Sequence, residues 1–162
     1  MVEDIIDYDT VPHLSEMTSA AIRALDNDPN GFFLMVEGGR IDKAAHINII
    51  ERNVFETLEF DRAFRVVMNW AKDREDTLII VTADHECGGL KVLRNRGRGS
   101  MPDVLWSSRY DSTKDHTGVN VPVYAVGEGA ENFAGVIDNT DIFKILVKLT
   151  SESSAAAPRQ SE

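Results

Sequence analysis

Apolar positions along the chain alternate between helical spacing and unbroken runs. Leu14, Met17, Ala21 and Ala24 recur at helical intervals behind Pro12, which predicts a helix with Pro12 in its first turn. Asn27-Asp28-Pro29-Asn30-Gly31 is a run of turn formers that stops it. Phe32-Phe33-Leu34-Met35-Val36 has no polar break and predicts a strand buried on both faces. From about Ile49 to Lys72 the pattern is helical again, with Phe60, Phe64, Val67 and Ala71 on one stripe. Thr77-Leu78-Ile79-Ile80-Val81 predicts a second buried strand, rich in β-branched residues. Residues 94–115 are polar and glycine-containing, which predicts a long surface loop, broken by a short strand around Val104-Leu105-Trp106. A third strand is expected over 121–126, with Pro122 at an edge or in its first residues. Ile142, Ile145, Leu146 and Leu149 predict a last amphipathic helix, capped by Asn139 or Thr140. Residues 151–162 read as a disordered Ser- and Ala-rich tail, which leaves 1–150 as the folded part.

Helices alternating with buried strands predict an α/β domain, a layered α/β/α sandwich on a mostly parallel sheet. Ligands of such sheets bind beyond the carboxyl ends of the strands. Those ends hold a distinctive set of residues. After 32–36 comes Glu37-Gly38-Gly39-Arg40-Ile41-Asp42-Lys43-Ala44-Ala45-His46, and after 77–81 comes Thr82-Ala83-Asp84-His85-Glu86. His116-Thr117-Gly118 precedes the third strand. Three of the four histidines and several carboxylates thus converge on one sheet edge. Imidazole nitrogen and carboxylate oxygen are what zinc accepts when thiolates are absent. Asp42 and His46, four apart, share a face if their turn is helical. Taken singly, each piece is an ordinary solvated helix face or a capped turn; their convergence is what points to a metal site.

Composition sharpens that picture through charge. The chain of 162 residues is long enough for one real core and carries a formal net charge of −10. So acidic a chain is a poor match for nucleic acid or an anionic membrane surface, both of which call for clustered Lys and Arg. No apolar run approaches the length of a membrane span, and the first residues have neither the basic nor the apolar region of a signal peptide. Cys87 is the single cysteine, which excludes an intrachain disulfide, and its expected role is that of a small, partly buried residue.

The segments 31–46 and 77–85 together with His116-Thr117-Gly118 resemble the alkaline phosphatase family, in the family's order, over about residues 10–150. Carried over by position, the resemblance implies that Asp42, His46 and His116 hold one zinc. It likewise implies that Asp84 and His85 hold a second zinc and that Glu37 sits on a magnesium. The implied reaction is hydrolysis of a phosphate monoester by a two-metal in-line displacement through a phosphoserine. It needs a nucleophilic serine, a bridging aspartate, a further magnesium ligand and a phosphate-clamping arginine. In the family these precede the segments found here. Ser15, Ser19 and Arg23 lie on a helix with no motif around them, so the chain reads as a C-terminal portion without its nucleophile. The resemblance also implies a homodimeric, periplasmic or secreted full-length enzyme. Rival readings are a phosphodiesterase or phosphomutase of the same superfamily, a non-catalytic zinc-binding domain, and a plain structural α/β domain.

Overall fold

The computed structural model describes residues 11–107 and 116–156. The chain forms two compact units, one from the described residues up to 73 together with 87–117, the other from 74–86 together with those from 118 onward.

In the first unit α1 (Leu14–Leu25), α2 (Gly39–His46) and α3 (Ile50–Ala71) pack together. Helix α1 is capped by His13 and begins at Leu14, so Pro12 stands just outside it. Its first turn is closed from two sides. Glu16 accepts from the His13 backbone N–H at 2.8 Å, and Glu59 of α3 accepts from both the amide and the hydroxyl of Ser15, at 3.0 and 2.7 Å. A carboxylate placed at the positive end of a helix satisfies N–H groups that have no partner inside the helix. Among the described residues of this unit the buried side chains are small or compact, Thr18, Ile22, Ala44, Ala45 and Ala63, apart from the large Trp106.

The Glu59 tie yields a stability prediction with a defined pH sense. Burial opposes its ionised form, yet the Ser15 hydroxyl and amide and the Arg62 guanidinium hold its carboxyl below the usual carboxylate value of 4.5. A depressed folded pKa means that the bonded carboxylate contributes fully above the unfolded value and that this contribution is lost as pH falls through the lower, folded one. Glu59→Ala is expected to lower unfolding free energy in urea at neutral pH by about 2 kcal/mol, in the range for hydrogen bonds to a charged group. The deficit should shrink in acid; a variant equally destabilised at low pH would overturn the assignment.

Segment 32–36 departs from expectation. It is extended, with alternating half-buried and exposed positions, and enters no ladder among the described residues. Phe33 and Met35 are 72% and 77% exposed. A strand exists only through a neighbour, and an apolar run by itself cannot supply one. Phe32 does pack, its ring 5.6 Å from that of Trp70 at the end of α3.

The strands present are arranged as antiparallel pairs, not as the mostly parallel sheet expected. In the first unit β3 (Leu90–Arg94) pairs antiparallel with β4 (Asp103–Trp106), with a register shift between Val92 and Arg94. The predicted loop over 94–115 is therefore a hairpin connection followed by β4; residues 108–115 lie outside the described part. Within it Arg96 pairs with Asp103 at 2.8 Å. The two-residue β5 (His116–Thr117) pairs with β2 (Glu86–Cys87), of which Cys87 belongs to this unit.

In the second unit β1 (Leu78–Thr82) and β6 (Val123–Gly127) are antiparallel, from Leu78 opposite Gly127 to Thr82 opposite Val123. Pro122 precedes β6, and its carbonyl accepts from the Thr82 hydroxyl at 3.1 Å, so the missing N–H interrupts no ladder. A 3-10 turn (Ala130–Phe133) buries Phe133. Helix α4 (Asn139–Ala156) runs through 151–156, where the tail was expected to start; residues 157–162 lie outside the described part. Its cap is Asp138 and neither of the residues expected. The Asp138 carboxylate accepts from the Thr140 backbone N–H at 2.9 Å, while Asp141 accepts from the Asp138 backbone N–H at 3.1 Å. Only the Asp141 half follows the capping-box pattern; the Asp138 carboxylate takes the second helical amide and not the third.

Candidate metal centre

Helix α2 is the element that places the first two candidate ligands. Asp42 and His46 stand one turn apart on it, and Asp42 Oδ2 lies 3.3 Å from His46 Nε2. The helix ends right after His46 because Asn48 adopts a left-handed conformation, φ 57°. The Asn48 N–H then bonds the Ala45 carbonyl at 3.0 Å and the Ile49 N–H bonds the Ala44 carbonyl at 3.1 Å. This is the Schellman closure, and it keeps His46 in the final turn. Two ties hold α2 on α3: Asn53 Nδ2 donates to the Ile41 carbonyl at 3.0 Å, and Arg40 pairs with Glu56 at 3.3 Å.

His116, on β5, brings the third candidate. Its Nε2 is 3.7 Å from Asp42 Oδ1, and its ring centroid is 5.2 Å from that of His46, tilted by 47°. The fourth donor is Cys87. Ligand atoms of Asp42, His46, Cys87 and His116 all lie within 4.8 Å of one another. The gap between the Asp42 oxygens and the two imidazoles matches what a cation would leave. In tetrahedral zinc sites with bonds of about 2.0–2.2 Å, neighbouring ligands stand roughly 3.3–3.5 Å apart. Asp42 Oδ1 is buried and makes no hydrogen bond, the condition expected of an atom whose partner is a metal. The donor chemistry and this orphaned oxygen both fit a divalent zinc.

Of the other candidates, Glu37 is exposed and stands outside this cluster. Asp84 and His85 belong to the second unit, just past β1. Asp84 Oδ1 accepts from the His85 backbone N–H at 3.1 Å, and its Oδ2 is 3.2 Å from His85 Nε2. The Asp84 side chain is 86% exposed, His85 only 24%. Ser15 and Ser19 are used elsewhere: Ser15 donates to Glu59, and Ser19 accepts from Arg23 at 2.6 Å. Cys87 is the residue that sequence reasoning set aside. The one signal for it was adjacency to Asp-His-Glu, which says nothing about where its thiol points.

Comparison with known proteins places the chain. Residues 5–101 and 106–151 match the family model for alkaline phosphatase. Alkaline phosphatase H of Pseudomonas aeruginosa is 35% identical over 144 residues, 82% of this chain and 30% of the relative. Alkaline phosphatase of Escherichia coli K12 is 34% identical over 83% of this chain and 31% of its own length. Among solved structures, alkaline phosphatase from the Antarctic bacterium TAB5 superposes with a TM-score of 0.75 at 34% identity, covering 85% of this chain and 40% of that one. A mutant of that enzyme, with Mg bound in its M3 site, superposes equally well. The chain therefore spans about a third of the length of the first two relatives, and it belongs to the alkaline phosphatase family.

Proposed function

We propose that this chain supplies metal-ligating residues to a phosphomonoester hydrolase with two zinc ions and one magnesium, and that the nucleophilic serine lies outside it. The single observation that carries the reading is the cluster of Asp42, His46 and His116 around an unbonded buried oxygen. Asp42 and the two imidazoles hold the first zinc; Asp84 and His85 are the protein ligands for the second, and Glu37 is the magnesium ligand. Bound divalent ions supply charge neutralisation at phosphorus and lower the pKa of a coordinated oxygen. The net charge of −10 supports this, since an anionic ester approaching these carboxylates needs cations between them.

Each residue then has a defined task. Asp42 presents two oxygens and so fixes both imidazoles relative to one another. His46, in the last turn of α2, keeps its Nε2 aimed at Asp42, and His116 closes the set from β5. Asp42, His46 and His116 would hold a first zinc, which would polarise an ester oxygen bound to it. The phosphoserine step requires groups that this chain does not bring, so turnover by the chain alone is expected to be negligible. The family supports the wider reading: a phosphate monoester as substrate, a homodimeric full-length enzyme, and a periplasmic or secreted location. The exposed Phe33 and Met35 support a layered fold in which further elements cover this segment.

The test is phosphate release by a chimera in which residues 11–150 replace the matched segment of the Escherichia coli enzyme. Monoester hydrolysis well above diester hydrolysis, abolished by Asp42→Ala, is the expected result. A preference for diesters would favour the phosphodiesterase reading instead. A folded, zinc-loaded chimera with no hydrolysis would favour a non-catalytic zinc domain.

A further inference from the structure

Cys87 is tied to the same cluster by two independent features. Its Sγ is one of the four ligand atoms gathered within 4.8 Å, and its S–H donates to the Asp42 backbone carbonyl at 3.8 Å, which holds it beside that ligand. Its backbone is also pinned. Gly88 is buried with φ 83°, and a Cβ there would stand 2.7 Å from the Trp106 ring and 3.1 Å from the Ala45 carbonyl. The chain can pass between Trp106 and the end of α2 only as glycine, so the position of the thiol follows from packing and not from a free loop.

We propose that Cys87 coordinates the Asp42–His46–His116 metal through its sulfur, making this a four-donor site of two nitrogens, one oxygen and one thiolate. The proposal rests on the metal reading above. A tetrahedral site with a metal–sulfur bond of about 2.3 Å puts sulfur roughly 3.6 Å from its co-ligands, so closure asks for side-chain movements of about 1–1.5 Å at most. The thiol proton leaves to solvent as the metal–sulfur bond forms. Two consequences follow from the donor set. A thiolate shifts preference toward zinc and other soft cations over magnesium. It also occupies the position a three-ligand centre leaves open, so substrate must displace sulfur or expand the coordination shell.

Cobalt(II) separates this proposal from the reading beneath it. The 162-residue chain loaded with cobalt is expected to show tetrahedral ligand-field bands together with a sulfur-to-cobalt charge-transfer band in the near ultraviolet. Cys87→Ser should lose the charge-transfer band, keep ligand-field absorption, and bind zinc at least about tenfold more weakly, the minimum cost of disturbing a ligand shell. Bound zinc should also slow alkylation of Cys87 several-fold. His46→Ala should lose both bands. Ligand-field absorption without charge transfer in the parent chain overturns the sulfur ligand and leaves the metal centre standing. A folded chain with neither band overturns the metal centre, and the sulfur ligand with it.

Discussion

Replacing Asp42 with alanine is expected to take the zinc content of the purified chain from about one ion, the load of a single intact site, to none. The expectation comes from how much Asp42 holds together. Its two oxygens face different imidazoles, at 3.3 Å to His46 and 3.7 Å to His116. Removing the carboxylate deletes the only anionic oxygen among the clustered donors, the one group that faces both imidazoles. His46→Ala and His116→Ala should each have the same effect. His85→Ala should not, because His85 belongs to the second unit and not to this cluster. Elemental analysis after dialysis, with circular dichroism to confirm that each variant is folded, is the measurement. Zinc retained in Asp42→Ala, or lost equally in His85→Ala, would show that the ligands are wrongly assigned.

Gly88→Ala is expected to cost about 2–5 kcal/mol of stability. Two penalties combine. A left-handed backbone costs an L-residue with a Cβ roughly 1–2 kcal/mol, and forcing a methyl into a packed interior adds about 1–3 kcal/mol. Here the methyl would meet the Trp106 ring at 2.7 Å. Trp106 is 5% exposed and is the largest buried side chain among the described residues of its unit, so it has little room to yield. Natural domains keep only about 5–15 kcal/mol in total, so such a loss would be plain in urea unfolding. It should also lower zinc affinity, since the same backbone carries Cys87. An unchanged unfolding midpoint would mean that Trp106 moves aside freely.

How much of this was legible in the sequence differs from element to element, and the differences have physical causes. Helices α1, α3 and α4 could be read because their hydrogen bonds are internal and their apolar period is local. The Asp42–His46 spacing was legible for the same reason: four residues is one helical turn. Family membership could be read too, because long motifs in the right order are a property of the string itself.

Segment 32–36 went the other way. Five apolar residues predict a buried strand, but a ladder is made with a partner, and no described strand pairs with it. The antiparallel pairing of β1 with β6 was likewise invisible, because strand direction is decided by how the intervening chain returns. Asp138 displaced Asn139 and Thr140 as the α4 cap because its carboxylate takes the Thr140 N–H while Asp141 takes the Asp138 N–H, which composition alone does not rank. Cys87 is the clearest case. The sequence determined that one thiol follows Asp84-His85-Glu86; only the tertiary structure decided that it stands beside Asp42, His46 and His116. The left-handed Gly88 and the buried Trp106 set that direction, and neither contact has any signature along the chain.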